Sequence, residues 1–143
     1  MSFEVKTDLA WHGQDVMIRG RKVVNKSAYE IGLVVEGQAK ELCKVRTGYL
    51  RGSINTQAAG KGTSPEPADD GRVAPKINAP QDDQEVLVGT AADYGPYIEF
   101  GVLTGAAQPF LRPALDLATG KAIPITQKNA KMEFADYLNP RAT

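Results

Sequence analysis

Few side chains in this sequence are of types that perform chemistry, and they do not form a group. The chain of 143 residues has one histidine, His12, and one cysteine, Cys43. A Ser–His–Asp or Cys–His arrangement would need His12, whose sequence neighbours offer no partner for such a role. Cys43 lies beside apolar residues of a predicted helix, which favours a buried thiol. A single cysteine also excludes an internal disulfide and most zinc frameworks.

Acidic residues and one glycine-rich segment are weaker candidates. The doublets Asp69-Asp70 and Asp82-Asp83 could bind a cation, although acidic residues in such polar sequence are usually only solvated. Glu99 lies between two apolar residues, so we expect a partly buried carboxylate with a structural partner such as Arg51, which could equally be a solvated surface residue. Segment 60–63, Gly-Lys-Gly-Thr, lacks the first glycine and the strand-to-helix context of a phosphate loop. The sequence therefore predicts neither an enzyme nor a cofactor.

A basic cluster near the start of the first predicted helix could face DNA phosphates. The competing interpretation, a solvated helix face, is favoured because no aromatic residues are interleaved with the cluster. The 17 basic and 17 acidic residues of the chain also cancel, so the overall charge does not attract nucleic acid or an anionic membrane surface. The cluster comprises Arg19, Arg21, Lys22 and Lys26.

Length and composition are those of one ordinary domain. A chain of this length can bury a core, and 42% hydrophobic with 7% aromatic residues is typical of a soluble protein. The N-terminal residues show no signal-peptide pattern, and the longest apolar runs are too short to cross a bilayer. We therefore expect a single soluble domain that is made in the cytoplasm and has no contact with membranes.

The hydrophobic pattern predicts an α+β fold. Residues 1–9 alternate loosely and indicate an edge strand or an extended arm. Residues 12–44 have helical periodicity, with a possible break at Gly20, and Gly32 and Gly37 mark places where another backbone could approach. Strands are predicted at 50–56 and 85–89, and a last helix at 110–119 with a kink or restart near Pro124.

Residues 58–83 differ from the rest because they are rich in proline, glycine and aspartate and poor in apolar side chains. Such a segment cannot offset the entropy of its own ordering by burial. We expect an oversized loop between two antiparallel strands, which is either mobile or an arm that contacts a neighbour.

An aromatic turn precedes the last helix. Residues 94–100 have aromatic and apolar side chains at spacings of three or four, as in one short helical turn. Gly101 would end this turn with a positive φ, and Pro109 and Pro113 bracket the following helix start. The side chains expected to point into the core are Tyr97, Phe100, Phe110 and Leu111.

Three parts of the sequence resemble the tail-component family of long-tailed bacteriophages, which comprises tail-completion or head-to-tail joining proteins of the virion neck. They are Arg-Thr-Gly-Tyr-Leu-Arg-Gly-Ser-Ile at 46–54, Val-Gly-Thr with Tyr-Gly-Pro-Tyr-Ile-Glu-Phe-Gly at 88–101, and Gln-Pro-Phe-Leu-Arg-Pro-Ala-Leu at 108–115. The resemblance covers residues 13–117. The positions that carry it are Thr47, Gly48, Leu50, Arg51, Ser53, Ile54, Tyr94, Tyr97, Glu99, Phe100, Gly101, Pro109, Phe110, Leu111 and Pro113.

The resemblance implies a fold and a role. The expected fold is a long N-terminal helix packed on a small, mostly antiparallel sheet, with a C-terminal helix. The role that the resemblance implies is structural, as a closed, sixfold homo-oligomeric ring in the virion, assembled in the host cytoplasm. Its partners would be the tail tube or tail terminator protein, a head-closure or connector protein, and genomic DNA passing without sequence specificity through the lumen. Alternatives are a tail terminator, another neck ring, or a small DNA-binding packaging accessory module.

Overall fold

Two long helices and a small antiparallel sheet form the fold in the computed structural model, which describes residues 12–44, 48–102 and 105–138. The predicted α+β class, with a long first helix, a small antiparallel sheet and a C-terminal helix, is confirmed. In chain order the elements are α1 (Gly13–Leu42), α2 (Tyr49–Ser53), β1 (Ile54–Ala58), β2 (Lys61–Gly62), β3 (Val86–Thr90), α3 (Gly95–Phe100), α4 (Leu111–Glu133) and α5 (Ala135–Leu138).

The first helix, α1, is continuous over 30 residues and confirms the helix predicted at 12–44. It does not break at Gly20, and α4 packs along it. Gly32 marks a close approach, since an added Cβ would lie 2.8 Å from Cγ1 of Val86 and 2.9 Å from Cγ2 of Thr56. The sheet therefore lies directly against the helix backbone at this point. The same prediction for Gly37 is wrong, because a Cβ there would face open space.

The central strand of the sheet is β1, which pairs antiparallel with β2 on one side and β3 on the other. β1 and β3 pair in a register that runs from Ile54 opposite Thr90 to Ala58 opposite Val86. Every residue of β1 is buried, whereas β3 is partly exposed along its length. The central strand therefore lies inside the domain, and β3 lies at its edge.

The strand predicted at 50–56 begins too early, because Tyr49–Ser53 form the short helix α2. Gly48 precedes this helix with a φ of 73°, a left-handed conformation that favours glycine. Its carbonyl accepts a hydrogen bond from the Gly52 N–H at 2.8 Å. These local bonds prevail over the alternating pattern, and the strand starts only at Ile54. The strand predicted at 85–89 is shifted by one residue.

Residues 58–83 pack on their own domain. The segment starts with the hairpin turn between β1 and β2, and the side chains of Ala68 and Ala74 are buried. Its backbone is held by hydrogen bonds at several places. The N–H of Thr63 donates to the carbonyl of Thr56, and the N–H of Glu66 donates to the carbonyl of Gly52. The N–H of Ile77 donates to Oδ1 of Asn55. Hydrogen bonds therefore hold the segment on its own domain, although it buries few apolar side chains.

The helix end predicted at Thr119, with a restart near Pro124, is wrong, because α4 continues through both residues to Glu133. Pro124 and Gly120 are both exposed, so the carbonyl that loses its hydrogen-bond donor can be solvated. The opposite side of α4 packs on α1, where the Nδ2 group of Asn129 donates to Oγ of Ser27 at 3.1 Å. Tertiary packing on α1 therefore outweighs the local effect of one proline.

The core lies where α1, α4 and the sheet meet, and Phe110 is its largest fully buried side chain. The predicted inward positions of Phe110 and Leu111 are confirmed, the latter as a partly buried residue packed on the core. The predictions for Tyr97 and Phe100 are wrong, since these side chains are 41% and 57% exposed. The α3 turn places them outward, and the Arg112 guanidinium lies over the Phe100 ring at 5.2 Å.

Two predictions fall outside the described residues, namely the strand or arm at 1–9 and the role of Thr47. Within residues 12–44, 48–102 and 105–138, no helix combines the length and the hydropathy needed to span a membrane.

The two glycines of α1 provide a matched test of the helix–sheet contact. Gly32→Ala and Gly37→Ala gain the same helix propensity, about 1 kcal/mol each. Only Gly32→Ala forces a methyl group into the sheet, which costs about 1–3 kcal/mol. In urea denaturation we expect Gly37→Ala to be more stable than Gly32→Ala by about that amount. Equal stability of the two variants would contradict the close contact.

Candidate functional site

The carboxylate of Glu99 caps the N-terminus of α4. Its Oε2 atom accepts hydrogen bonds from the backbone N–H groups of Phe110 at 2.7 Å and Leu111 at 3.0 Å, and its Oε1 atom accepts one from Arg112 at 3.1 Å. Because Pro113 has no N–H, the orphan donors that start a helix are largely satisfied by this one side chain. The positive end of the helix dipole favours the negative charge at the same place.

The expected partner of Glu99 was a cation, and this prediction is wrong. Arg51 is exposed, and the carboxylate is held by backbone donors instead. Burial disfavours the charged form, but the three N–H donors outweigh it and lower the pKa of Glu99 below its ordinary value of 4.5. The group is therefore ionised at neutral pH and has its acceptors occupied, which suits a structural role and not proton transfer.

The α3 turn positions Glu99 under α4. Gly101 ends α3 with a φ of 75°, and its N–H donates to the carbonyl of Tyr97 at 2.8 Å, which confirms the predicted turn end. The chain then folds back over this glycine, because an added Cβ would lie 2.5 Å from the backbone nitrogen of Ala107. The N–H of Gln108 donates to the carbonyl of Ile98 at 2.9 Å and fixes the approach to α4.

The resembling segments meet at the end of the β1–β3 pair. The hydroxyl of Ser53 donates to the carbonyl of Leu50 at 2.6 Å and shares a hydrogen bond with the hydroxyl of Thr90. A Cβ on Gly95 would lie 2.6 Å from Cγ2 of Thr90 and 3.4 Å from Cδ1 of Leu50. The rings of Tyr49 and Tyr94 stack with centroids 6.4 Å apart. Residues 48–54, 88–101 and 108–115 therefore build one cluster.

A second buried carboxylate was missed by the sequence patterns. The i,i+4 pair of Glu36 with Lys40 is recognisable in α1, but Glu36 is only 6% exposed. Its Oε2 atom accepts from the hydroxyls of Thr56 and Thr63, both at 2.7 Å, and its Oε1 atom accepts from Nζ of Lys40 at 2.8 Å. Lys40 also pairs with Glu66 at 2.7 Å. The network thereby joins α1 to β1 and to the segment that follows β2.

The pKa of Glu36 is lowered and the pKa of Lys40 is raised, so each group favours the charged form of the other. Burial opposes the charge of Glu36, but the Lys40 ammonium and the two hydroxyls outweigh it and lower the carboxyl pKa. Burial likewise opposes the charge of Lys40, but the two carboxylates outweigh it and raise the ammonium pKa. Both groups therefore remain charged at neutral pH and act as a structural clamp.

Three of the four basic residues proposed to face DNA are engaged within the chain. Arg19 pairs with Asp15 at 3.1 Å and with Asp136 at 2.9 Å, and thus joins α1 to α5. Lys22 lies 3.7 Å from Glu133, and Arg21 lies 3.9 Å from Asp83. Lys26 lines a cleft of about 470 Å³ together with Lys22 and Lys61. The basic surface is therefore smaller than the sequence suggests.

The other candidate groups do not assemble a reactive centre in the part of the chain that the structure describes. There, no three His, Cys, Asp or Glu side chains converge on a point where they could hold a metal ion. Asp70 is paired with Arg72 at 2.7 Å. The predicted burial of Cys43 is confirmed, and burial raises the pKa of its thiol, which therefore stays protonated. His12 is exposed and its ring packs edge-on against Tyr137.

Comparison with protein-family models, with curated proteins and with solved structures found no match. The likeness to the tail-component family therefore rests on the motif residues themselves.

The cap predicts how Glu99→Gln responds to pH. A folded pKa below the ordinary value contributes stability that is present at neutral pH and is lost as pH falls through the folded pKa. We expect Glu99→Gln to lose about 1 kcal/mol at pH 7, and the difference from wild type to shrink as the pH falls below the ordinary carboxyl pKa of 4.5. Urea denaturation of both proteins at pH 7 and at acidic pH measures this difference in the free energy of unfolding. Glu41→Gln, at an exposed helix position, is the control, and a similar loss in this variant would argue against the cap.

Proposed function

We propose that this chain is a structural virion protein that closes into a homo-oligomeric ring at the head–tail junction of a long-tailed bacteriophage, without catalysis. The observation that carries the proposal is the convergence of the resembling segments. Residues 48–54 are distant in the sequence from residues 88–101 and 108–115, which are close neighbours, and all three stretches meet around Thr90, Gly95 and the start of α4. A chance likeness of short motifs would have no reason to form one cluster, so their meeting supports a shared architecture.

The distribution of polar and apolar groups also supports a scaffold. The two buried carboxylates, Glu36 and Glu99, are fully engaged in hydrogen bonds that join elements. Large apolar side chains are instead exposed on the two long helices, where an assembly would cover them. Those exposed by more than half are Met17, Ile18, Leu115, Leu117, Ile123 and Met132.

In a closed ring, the exposed faces of the two long helices would form the contacts between copies. A rotational ring requires two different patches on each copy, because the contact is head-to-tail. The exposed faces of α1 and α4 supply apolar area, and residues 58–83 supply a polar edge. In the neck, the ring would stack between the tail tube or tail terminator and the head-closure protein, after assembly in the host cytoplasm. A tail terminator or another neck ring fits the same surfaces.

The DNA-binding alternative has less support, because the ion pairs of Arg19, Arg21 and Lys22 reduce the free positive charge. We expect no shift of arbitrary duplex DNA by the purified chain at about 0.15 M salt. A strong shift that weakens steeply with salt, and that is lost in the double variant Lys26→Ala/Lys61→Ala, would favour the packaging module over the ring.

The ring proposal is tested by self-assembly and by particle location. Native mass spectrometry of the purified chain across a concentration series should show one discrete oligomer larger than a dimer. Ile123→Asp, which places a charge on an exposed apolar position of α4, should reduce that oligomer, whereas Lys121→Asp on the neighbouring polar position should not.

The location is tested in a phage that encodes this chain. A nonsense mutant should accumulate separate heads and tails, and the wild-type copy supplied in trans should restore joined particles. A chain that remains monomeric at every concentration and is absent from purified particles would overturn the proposal.

A further inference from the structure

A cleft lies between α1, the strand β2 and the C-terminal half of α4. Its volume is about 470 Å³, which is within the range of sites that hold small molecules. Lys22 and Lys26 line it from α1, where they lie one helical turn apart, and Lys61 lines it from β2. Asn129 and Glu133 line it from α4 in the same way. Three elements that are distant in the sequence therefore build one concave and polar surface.

The charges of this lining suit a dianion. Its three ammonium groups and the one carboxylate, of Glu133, leave a net charge of plus two. Glu133 lies 3.7 Å from Lys22, and the ammonium of Lys61 lies over the Tyr29 ring at 4.2 Å, a contact that restrains the group and keeps its charge. A phosphate monoester carries about −1.5 to −2 charges at pH 7. The phosphodiester units of DNA carry one negative charge each, so the lining matches them less well.

The cleft also contains a buried amide with an unsatisfied acceptor. Asn129 is 2% exposed, and its Nδ2 group donates to Oγ of Ser27 at 3.1 Å. Among the described residues, no donor reaches its Oδ1 atom. Buried polar atoms are normally hydrogen-bonded, and an apolar side chain at this position would avoid the cost of leaving one unpaired. The amide at this place therefore indicates a ligand group that donates to it.

A sugar phosphate supplies both complementary groups. Its phosphate matches the lysines, and its hydroxyl groups donate to carboxylate and amide oxygens such as those of Glu133 and Asn129. Within the described residues, no aromatic side chain lines the cleft, so a nucleotide base would find no ring on which to stack. We propose that the cleft binds a monosaccharide phosphate, with the phosphate among the three lysines and a hydroxyl donating to Oδ1 of Asn129. The inference does not depend on the proposed ring.

Binding requires a small movement in the wall of the cleft. The Oδ1 atom of Asn129 is closed to solvent in this structure, so a hydroxyl reaches it only when a side chain moves aside. Met132 also lines the cleft and is 59% exposed. Its unbranched side chain has three rotatable bonds and can repack at little cost. The lysines therefore attract the phosphate first, and the sugar then displaces the methionine.

Calorimetric titration of the purified full-length chain with ribose 5-phosphate and with glucose 6-phosphate tests the inference. At least one of them should bind with a dissociation constant of about 0.1 mM or lower. Inorganic phosphate and the free sugars, which each lack half of the complementary groups, should bind at least about tenfold more weakly. Lys26→Ala/Lys61→Ala should weaken binding at least about tenfold, because charged donors are lost. Lys128→Ala/Lys131→Ala, at exposed α4 positions outside the cleft lining, should bind as wild type does.

Asn129→Leu distinguishes a ligand contact from a structural one. Leucine has the same number of side-chain heavy atoms as asparagine and leaves no unpaired acceptor, so the variant should unfold at a similar or higher urea concentration than wild type. Its affinity for the sugar phosphate should fall at least about tenfold, since the hydroxyl loses its acceptor. Unchanged affinity in a folded Asn129→Leu variant would show that the amide has only a packing role, and would overturn the inference.

Three further results would overturn the inference. The first is that neither sugar phosphate binds to the wild-type chain. The second is that inorganic phosphate binds as tightly as the sugar phosphates, or that duplex DNA displaces them, since the cleft would then attract any anion. The third is an equal loss of affinity in Lys26→Ala/Lys61→Ala and in Lys128→Ala/Lys131→Ala. If Asn129→Leu fails to fold, the comparison of these two lysine variants decides.

Discussion

The structure depends on how the start of α4 is held. Three backbone N–H groups at this point would lack partners without a cap, and an unpaired donor that is buried, as that of Phe110 is, costs about 1–3 kcal/mol. Glu99 satisfies them with one carboxylate. This fixes Phe110, whose own N–H is one of the donors, in the centre of the core. From that anchored start, α4 is aligned to pack along α1.

The second buried carboxylate performs a corresponding task between α1 and the sheet. Glu36 extends from α1 and receives hydroxyl donors from β1 and from the residue after β2. Together, Glu36 and Glu99 connect both long helices to the elements between them. Each is ionised because its neighbours donate to it, and each has a lowered pKa for that reason. In an enzyme, a buried carboxylate is more useful with a raised pKa and a free oxygen, and neither of these offers that.

The sequence predicted the features that are set by neighbouring residues, and it did not predict those that depend on residues distant in the chain. The α1 helix, the turn end at Gly101 and the core position of Phe110 follow from periodicity, glycine and apolar patterning. The burial of Glu99 could be predicted from its apolar sequence neighbours. Its hydrogen-bond partners could not, because they are backbone N–H groups, which nearly every residue type carries. Thr56 and Thr63 lie 20 and 27 residues from Glu36, a separation that no local pattern reports. The continuity of α4 through Pro124 was likewise decided by packing on α1.

The two edges of the sheet differ in length and in polarity. One edge is short and carries Lys61, whose ammonium group lies over the Tyr29 ring at 4.2 Å. The other is long, apolar and adjacent to an apolar groove. The buried carboxylates of Glu36 and Glu99 accept hydrogen bonds from within the domain. Large apolar side chains, in contrast, are exposed on the surface. Because burial of apolar surface is what drives association, these exposed apolar groups support the assembly proposed above.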